Sequence, residues 1–139
     1  MVGLIFRQAC YPAIANLVVS GRDWSTEIDH VVRTPGSIVV IETKILAGRI
    51  EGWSTDKHWV QRIGGRERWF LNPLRQNASH LEVLRRAIGP VDMPLRGLVV
   101  VAGSATIGDE LRGSVVFVGD LGQVLQDQKR TCSPALDQA

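Results

Sequence analysis

The hydrophobic positions change their period along the chain, and each change marks an element. From Gly3 to Tyr11 the spacing predicts one or two helical turns stopped by Pro12, and Ala15 to Val19 then reads as a strand. Val31 to Val40 holds two β-branched runs around Thr34-Pro35-Gly36-Ser37, which predicts a hairpin because turn formers interrupt strand formers. Gly48 to Trp53 predicts a further strand. Trp59 to Ile63 is expected to pair with Arg66 to Phe70 across Gly64-Gly65, a dipeptide suited to positive φ. Asn72-Pro73 supplies an N-cap and a first-turn proline, and Gly89-Pro90 supplies a stop. The helix between them carries Leu74, Ala78, Leu81, Leu84 and Ile88 on one apolar stripe, expected to lie on the sheet. Leu98 to Ala102 and Val115 to Val118 read as strands buried on both faces, and Asp120 caps a short helix to about Gln128. Strands, then a helix, then strands again predict an α/β fold with a mixed central β-sheet flanked by helices.

Composition bounds this picture without changing it. A chain of 139 residues, 45% of them apolar, suits one domain, expected over residues 1–128, with an aperiodic, flexible tail over 129–139. The net charge is only +2, yet thirteen of the sixteen basic residues are arginines, whose planar fork suits phosphate and carboxylate. Cys10 and Cys132 lie far apart without paired spacing, so neither a disulfide framework nor a zinc knuckle is expected, and a cytoplasmic location is. The opening "MVGLIF" lacks the pattern of a signal peptide, and no run of about 18 apolar residues predicts a membrane span.

The charges at the ends of the hairpin matter more. With a four-residue turn centred between Pro35 and Gly36, Arg33 faces Ile38, Val31 faces Val40, Asp29 faces Glu42 and Glu27 faces Lys44. Directly opposed side chains have Cβ atoms about 4.5 to 5.5 Å apart, so Asp29 and Glu42 repel. One reading makes Glu27, Asp29, Glu42 and Lys44 a solvated charge group. The other places a hard divalent cation between Asp29 and Glu42, with Lys44 beside it, an arrangement suited to phosphodiester hydrolysis.

An aspartate followed at hairpin distance by Glu-x-Lys resembles the PD-(D/E)xK superfamily. The ordered series "EIDHVVRTPGSIVVIETK", "GRIEGW", "HWV" and "NPLRQNASHLEVLRR", from Ala15 to Ile88, resembles the nuclease-related domain (NERD) family within it. The resemblance implies a restriction-endonuclease-like fold and a metal-dependent nuclease acting on DNA. It implies Asp29 and Glu42 as ligands of Mg²⁺ or Mn²⁺, Lys44 as the catalytic lysine, and Gln76 as the glutamine presented from the helix after the sheet. The family's first helix, with its Gly-Glu, has only Gly3 to Tyr11 to represent it here, and no acid precedes Asp23, so a truncated first helix is expected. A catalytically silent nucleic-acid-binding or assembly module is therefore the alternative. A homodimer joined through Cys10 and the N-terminal segment would restore the helix.

Several residues are assigned blander roles. His30 is expected to face away from the acids and to be packed, and His58 and His80 show no ligand spacing. Trp53, Trp59 and Trp69 are expected to cover a core rather than stack on bases. Arg62, Arg66 and Arg68 about the Gly64-Gly65 turn, with Arg75, Arg85 and Arg86 on the helix, either share the acidic face and contact phosphates or are solvated. The stretch "VAGSATIG" lacks a nucleotide-binding motif.

Overall fold

The computed structural model describes residues 11–130, with side chains described to residue 126. The helical turns expected from Gly3, both cysteines and the end of the tail lie outside the described residues. In chain order the elements are β1 (Ala13–Ser20), β2 (Ser25–Arg33), β3 (Ile38–Ile45), β4 (Arg49–Glu51), β5 (His58–Ile63) and β6 (Arg66–Leu71). There follow helix α1 (Pro73–Ile88), β7 (Leu95–Ala102), β8 (Thr106–Ile107), β9 (Val116–Phe117) and helix α2 (Leu121–Arg130), with 3₁₀ turns on either side of β9.

The strands form two sheets. Five run in the order β1-β2-β3-β7-β9, with β3 antiparallel to β2 and parallel to β7, and four in the order β6-β5-β4-β8. The expected meander of β4 to β6 is thus present in a second sheet, which β8 completes alongside β4. The α/β architecture with mixed sheets and helices is the one predicted.

Side-chain alternation explains why β3 and β7 lie centrally. On one face Val32, Val39, Ile41 and Val100 pack with Leu121 and Leu125 of α2. On the other face Val40 and Ile28 pack with Leu84 of α1, while Val99 and Val101 pack with Leu46, Ile50, Trp59 and Ile107. A strand covered on both sides must be apolar almost throughout, as "LVVVA" is. Among the described residues no helix is long and apolar enough to cross a membrane.

The helix is tied down by amides as much as by its apolar stripe. Asn72 is fully buried; its Oδ1 accepts from the Leu74 backbone N–H, capping α1. Its Nδ2 donates to the carbonyls of Ser54 and Asp56, which fastens that end to the loop before β5. One turn further, buried Asn77 donates to the Val40 carbonyl at 3.0 Å and the Leu98 carbonyl at 3.2 Å. Gly97 makes room for it, because a Cβ there would sit 3.0 Å from Asn77 Nδ2.

Two packing expectations need correction. Leu84 is buried and Leu74 and Leu81 are partly so, but Ala78 and Ile88 are exposed, because the helix turns Asn77 toward β3 and β7. Of the three tryptophans expected in a core only Trp59 is buried; Trp53 and Trp69 are 61% and 64% exposed. Trp59 lies opposite Phe70 on the face turned to the larger sheet, whereas Trp69 lies opposite Val60 on the other face. Replacing Asn77 by Ala is expected to lower unfolding free energy by about 1–3 kcal/mol in urea titrations, since it removes both helix-to-sheet bonds from a dry contact.

Candidate active site

The site begins at the hairpin turn. Thr34 N–H donates to the Ser37 carbonyl at 2.9 Å, and Ser37 N–H donates to Thr34 Oγ1 at 3.1 Å, so the four residues close a compact buried turn. That turn sets the predicted register: Arg33 faces Ile38, Val31 faces Val40 and His30 faces Ile41.

The ladder then stops. Beyond His30–Ile41 β2 continues against β1 alone, and β3 continues against β7. Asp29 and Glu42, next in the register, are not a ladder pair; Asp29 Oδ2 instead accepts from the backbone N–H of Thr43 at 2.9 Å. The ladder to β1 also skips Asp29, passing from Ala15–His30 to Leu17–Ile28, and Asn16 between them has φ 53°. Ile28 and Val31, three apart, both contribute to the cluster beneath α1, so β2 changes face at Asp29-His30. A local break in pairing of this kind re-aims side chains. The expectation that Glu27 faces Lys44 is wrong for the same reason: Glu27 lies opposite Val18 of β1. Burial holds the His30 imidazole below its ordinary pKa, against the upward pull of the Asp29 carboxylate.

Glu42 and Lys44 stay on one face of β3, as alternation requires. Lys44 Nζ stands 3.2 Å from Glu42 Oε1, and Glu42 is 6% exposed. On the opposite side His80 Nδ1 of α1 lies 3.6 Å from Glu42 Oε2, an ion pair when the imidazole is protonated. Gln76 is one helical turn before His80 and shares its face, and its Oε1 is buried without a hydrogen-bond partner. The structure therefore joins Glu42, Lys44 and His80 by direct approach. It brings Asp29 to them through Thr43, and it places Gln76 beside them on the helix.

His80 and Asn77 are the residues that sequence reasoning missed. The signal for His80 was present, since a residue four positions after Gln76 on a predicted helix must share its face. Nothing in the apolar pattern marks Asn77, whose partners are backbone carbonyls of β3 and β7.

Mixed sheets with helices packed on both faces of the larger one make an α/β protein consistent with the restriction-endonuclease-like class. Within that class the chain belongs to the nuclease-related domain family, whose profile matches residues 5–102. It is also 35% identical over 60 residues to an uncharacterized protein of Bacillus anthracis, an alignment covering 43% of this chain and 28% of that protein's length. No solved structure matches it significantly.

Asp29→Ala is expected to accelerate amide hydrogen exchange at Thr43 and to lower stability by about 1–2 kcal/mol, because it removes a charged acceptor from a part-buried N–H. Exchange followed residue by residue by NMR checks this, with Val40, inside the intact ladder, as the reference.

Proposed function

We propose that the chain is a divalent-metal-dependent nuclease-like domain that hydrolyses phosphodiester bonds in DNA. The observation that carries this is the buried, unpartnered Gln76 Oε1 on α1, one helical turn before the His80 that meets Glu42, whose other oxygen Lys44 approaches. A buried polar atom without a partner is a cost that a ligand or ordered water removes.

The donors suit a hard cation. Asp29, Glu42 and Gln76 offer carboxylate and amide oxygens, the ligands Mg²⁺ and Mn²⁺ take, whereas no thiolate stands among the described residues. Among those residues no group of three or more His, Cys, Asp or Glu side chains gathers as a metal cage. Mg²⁺ asks for less, since one or two carboxylates with water and phosphate complete its shell. When bound, the cation supplies neutralisation of phosphate charge and a lowered pKa for the attacking water.

The chain's own residues have separable tasks. Glu42 and Asp29 hold the cation; the Thr43 bond limits how far Asp29 can swing. Lys44, partly open to solvent, places an ammonium where it stabilises negative charge developing on the phosphate. Gln76 orients the water through its amide. His80, through its contact with Glu42 Oε2, positions that carboxylate.

One feature of the geometry favours the silent nucleic-acid-binding module as a second reading. Both oxygens of Glu42 already approach cationic side chains, so the carboxylate is compensated without a metal when His80 is protonated.

Labelled plasmid and single-stranded DNA incubated with Mn²⁺, Mg²⁺ or EDTA separate the two readings. Cutting is expected with either metal and not with EDTA, and Glu42→Ala and Lys44→Ala are each expected to lower it by about 100-fold or more. Cutting in EDTA, or cutting that survives both substitutions, contradicts the nuclease reading.

A further inference from the structure

The arginines about the Gly64-Gly65 turn divide between two faces. On the face turned toward the larger sheet Trp59 lies opposite Phe70, Gln61 opposite Arg68 and Ile63 opposite Arg66. Arg62, opposite Glu67, points to the other face.

The first of these faces lies against the chain that leaves the site. Gln61 Nε2 donates to the Ala47 carbonyl at 3.0 Å, and Ile63 abuts Gly48, where a Cβ would collide with it. Gly48 has φ 73°, so a side chain there is disfavoured on both counts. Ala47 is three residues beyond Lys44, a span of roughly 10 Å in extended chain. Arg66 and Arg68, cross-strand neighbours of Ile63 and Gln61, therefore stand beside the segment that continues from the catalytic strand. With Gln61, Ile63 and Glu67 they line an open groove of about 330 Å³.

Their charges are also uncommitted. Arg62 is held by Glu51 and Glu67, Arg49 by Glu51, Arg85 and Arg86 by Glu82, and Arg112 by Asp109. Among the described residues Arg66 and Arg68 meet no carboxylate at ion-pair distance, although Glu67 lies between them in sequence. The Arg68 guanidinium sits 6.0 Å from the Phe70 ring centroid, which favours its staying on this face without neutralising it. Two exposed cations about 7 Å apart on one strand repel, and a chain of regularly spaced anions relieves that repulsion.

We propose that Arg66 and Arg68 form a phosphate-binding arm that holds the backbone of a DNA strand beside the Lys44 end of β3, a few nucleotides from the bond that is cut. The proposal rests on the nuclease reading for the position of that bond, but the arm itself is tested by binding alone.

The test is fluorescence anisotropy of a short fluorescein-labelled DNA oligonucleotide, single-stranded and duplex, in EDTA over a salt series. The proteins are wild type, Arg66→Gln/Arg68→Gln, Glu42→Gln, and Arg85→Gln/Arg86→Gln as a control of equal charge change. The first double variant is expected to bind about 10-fold more weakly, with the slope of log affinity against log salt reduced by about 2. The control is expected to stay within about twofold of wild type. Equal binding by wild type and Arg66→Gln/Arg68→Gln overturns the arm and leaves the nuclease reading standing if the wild type cuts DNA. An equal loss in the control reduces the effect to net charge and also overturns the arm, as does a wild type that binds neither DNA. If Glu42→Gln binds normally and no protein cuts, the nuclease reading fails while the arm is judged by its own variant.

Discussion

The register of the β2–β3 hairpin constrains everything around the site. The buried Thr34-Ser37 turn closes with four residues, and an even loop sends Asp29 and Glu42 toward one another. Continued pairing would set two carboxylates face to face within about 5 Å, an arrangement that is destabilising wherever nothing neutralises it. The strands part at that point. Asp29 gives up a ladder partner on both sides and takes the Thr43 amide instead, while Glu42 turns to Lys44 and His80. A break in a central hairpin thus separates the acids while keeping them near one another.

Such a break requires a rigid frame. Val39, Val40 and Ile41 of β3 are fully buried, with α2 covering one face and α1 the other, so the strand that carries Glu42 and Lys44 cannot follow β2 as it diverges. Asn77 adds a directional tie between α1 and the same strand, which fixes how His80, with Gln76 one turn before it, meets Glu42. The buried carboxylate is tolerable only with cations at hand, and Lys44 stands 3.2 Å from its Oε1.

Much of this is legible in the sequence wherever turn chemistry and period agree. Thr34-Pro35-Gly36-Ser37, Gly64-Gly65 and the bracket from Asn72-Pro73 to Gly89-Pro90 each locate an element to within a residue or two, because the backbone conformation required there admits few residue types. The register follows from the turn, and with it the shared face of Glu42 and Lys44. What alternation alone misses is interruption: nothing in "STEIDHVV" announces that β2 changes face at Asp29-His30, so alternation sets Glu27 opposite Lys44 whereas it lies opposite Val18. Trp53 and Trp69 mislead because hydrophobicity predicts burial only where a second layer exists: Trp69 lies on the outer face of the smaller sheet and Trp53 in the loop between β4 and β5, and both are open. Histidine-to-histidine spacing says nothing of His80, because its partner is an acid on a strand.

The opened seam between Asp29 and Glu42, with Gln76 on the neighbouring helix, is the cation site that the proposed function requires. Paramagnetic broadening by Mn²⁺, read at each backbone amide in nitrogen–proton NMR spectra, tests it most directly. At low Mn²⁺ the amides of Asp29, Thr43 and Gln76 are expected to broaden first, and Glu42→Gln to abolish this pattern. Broadening that begins instead at exposed acids such as Glu82 or Asp109, with Thr43 unaffected, would contradict it.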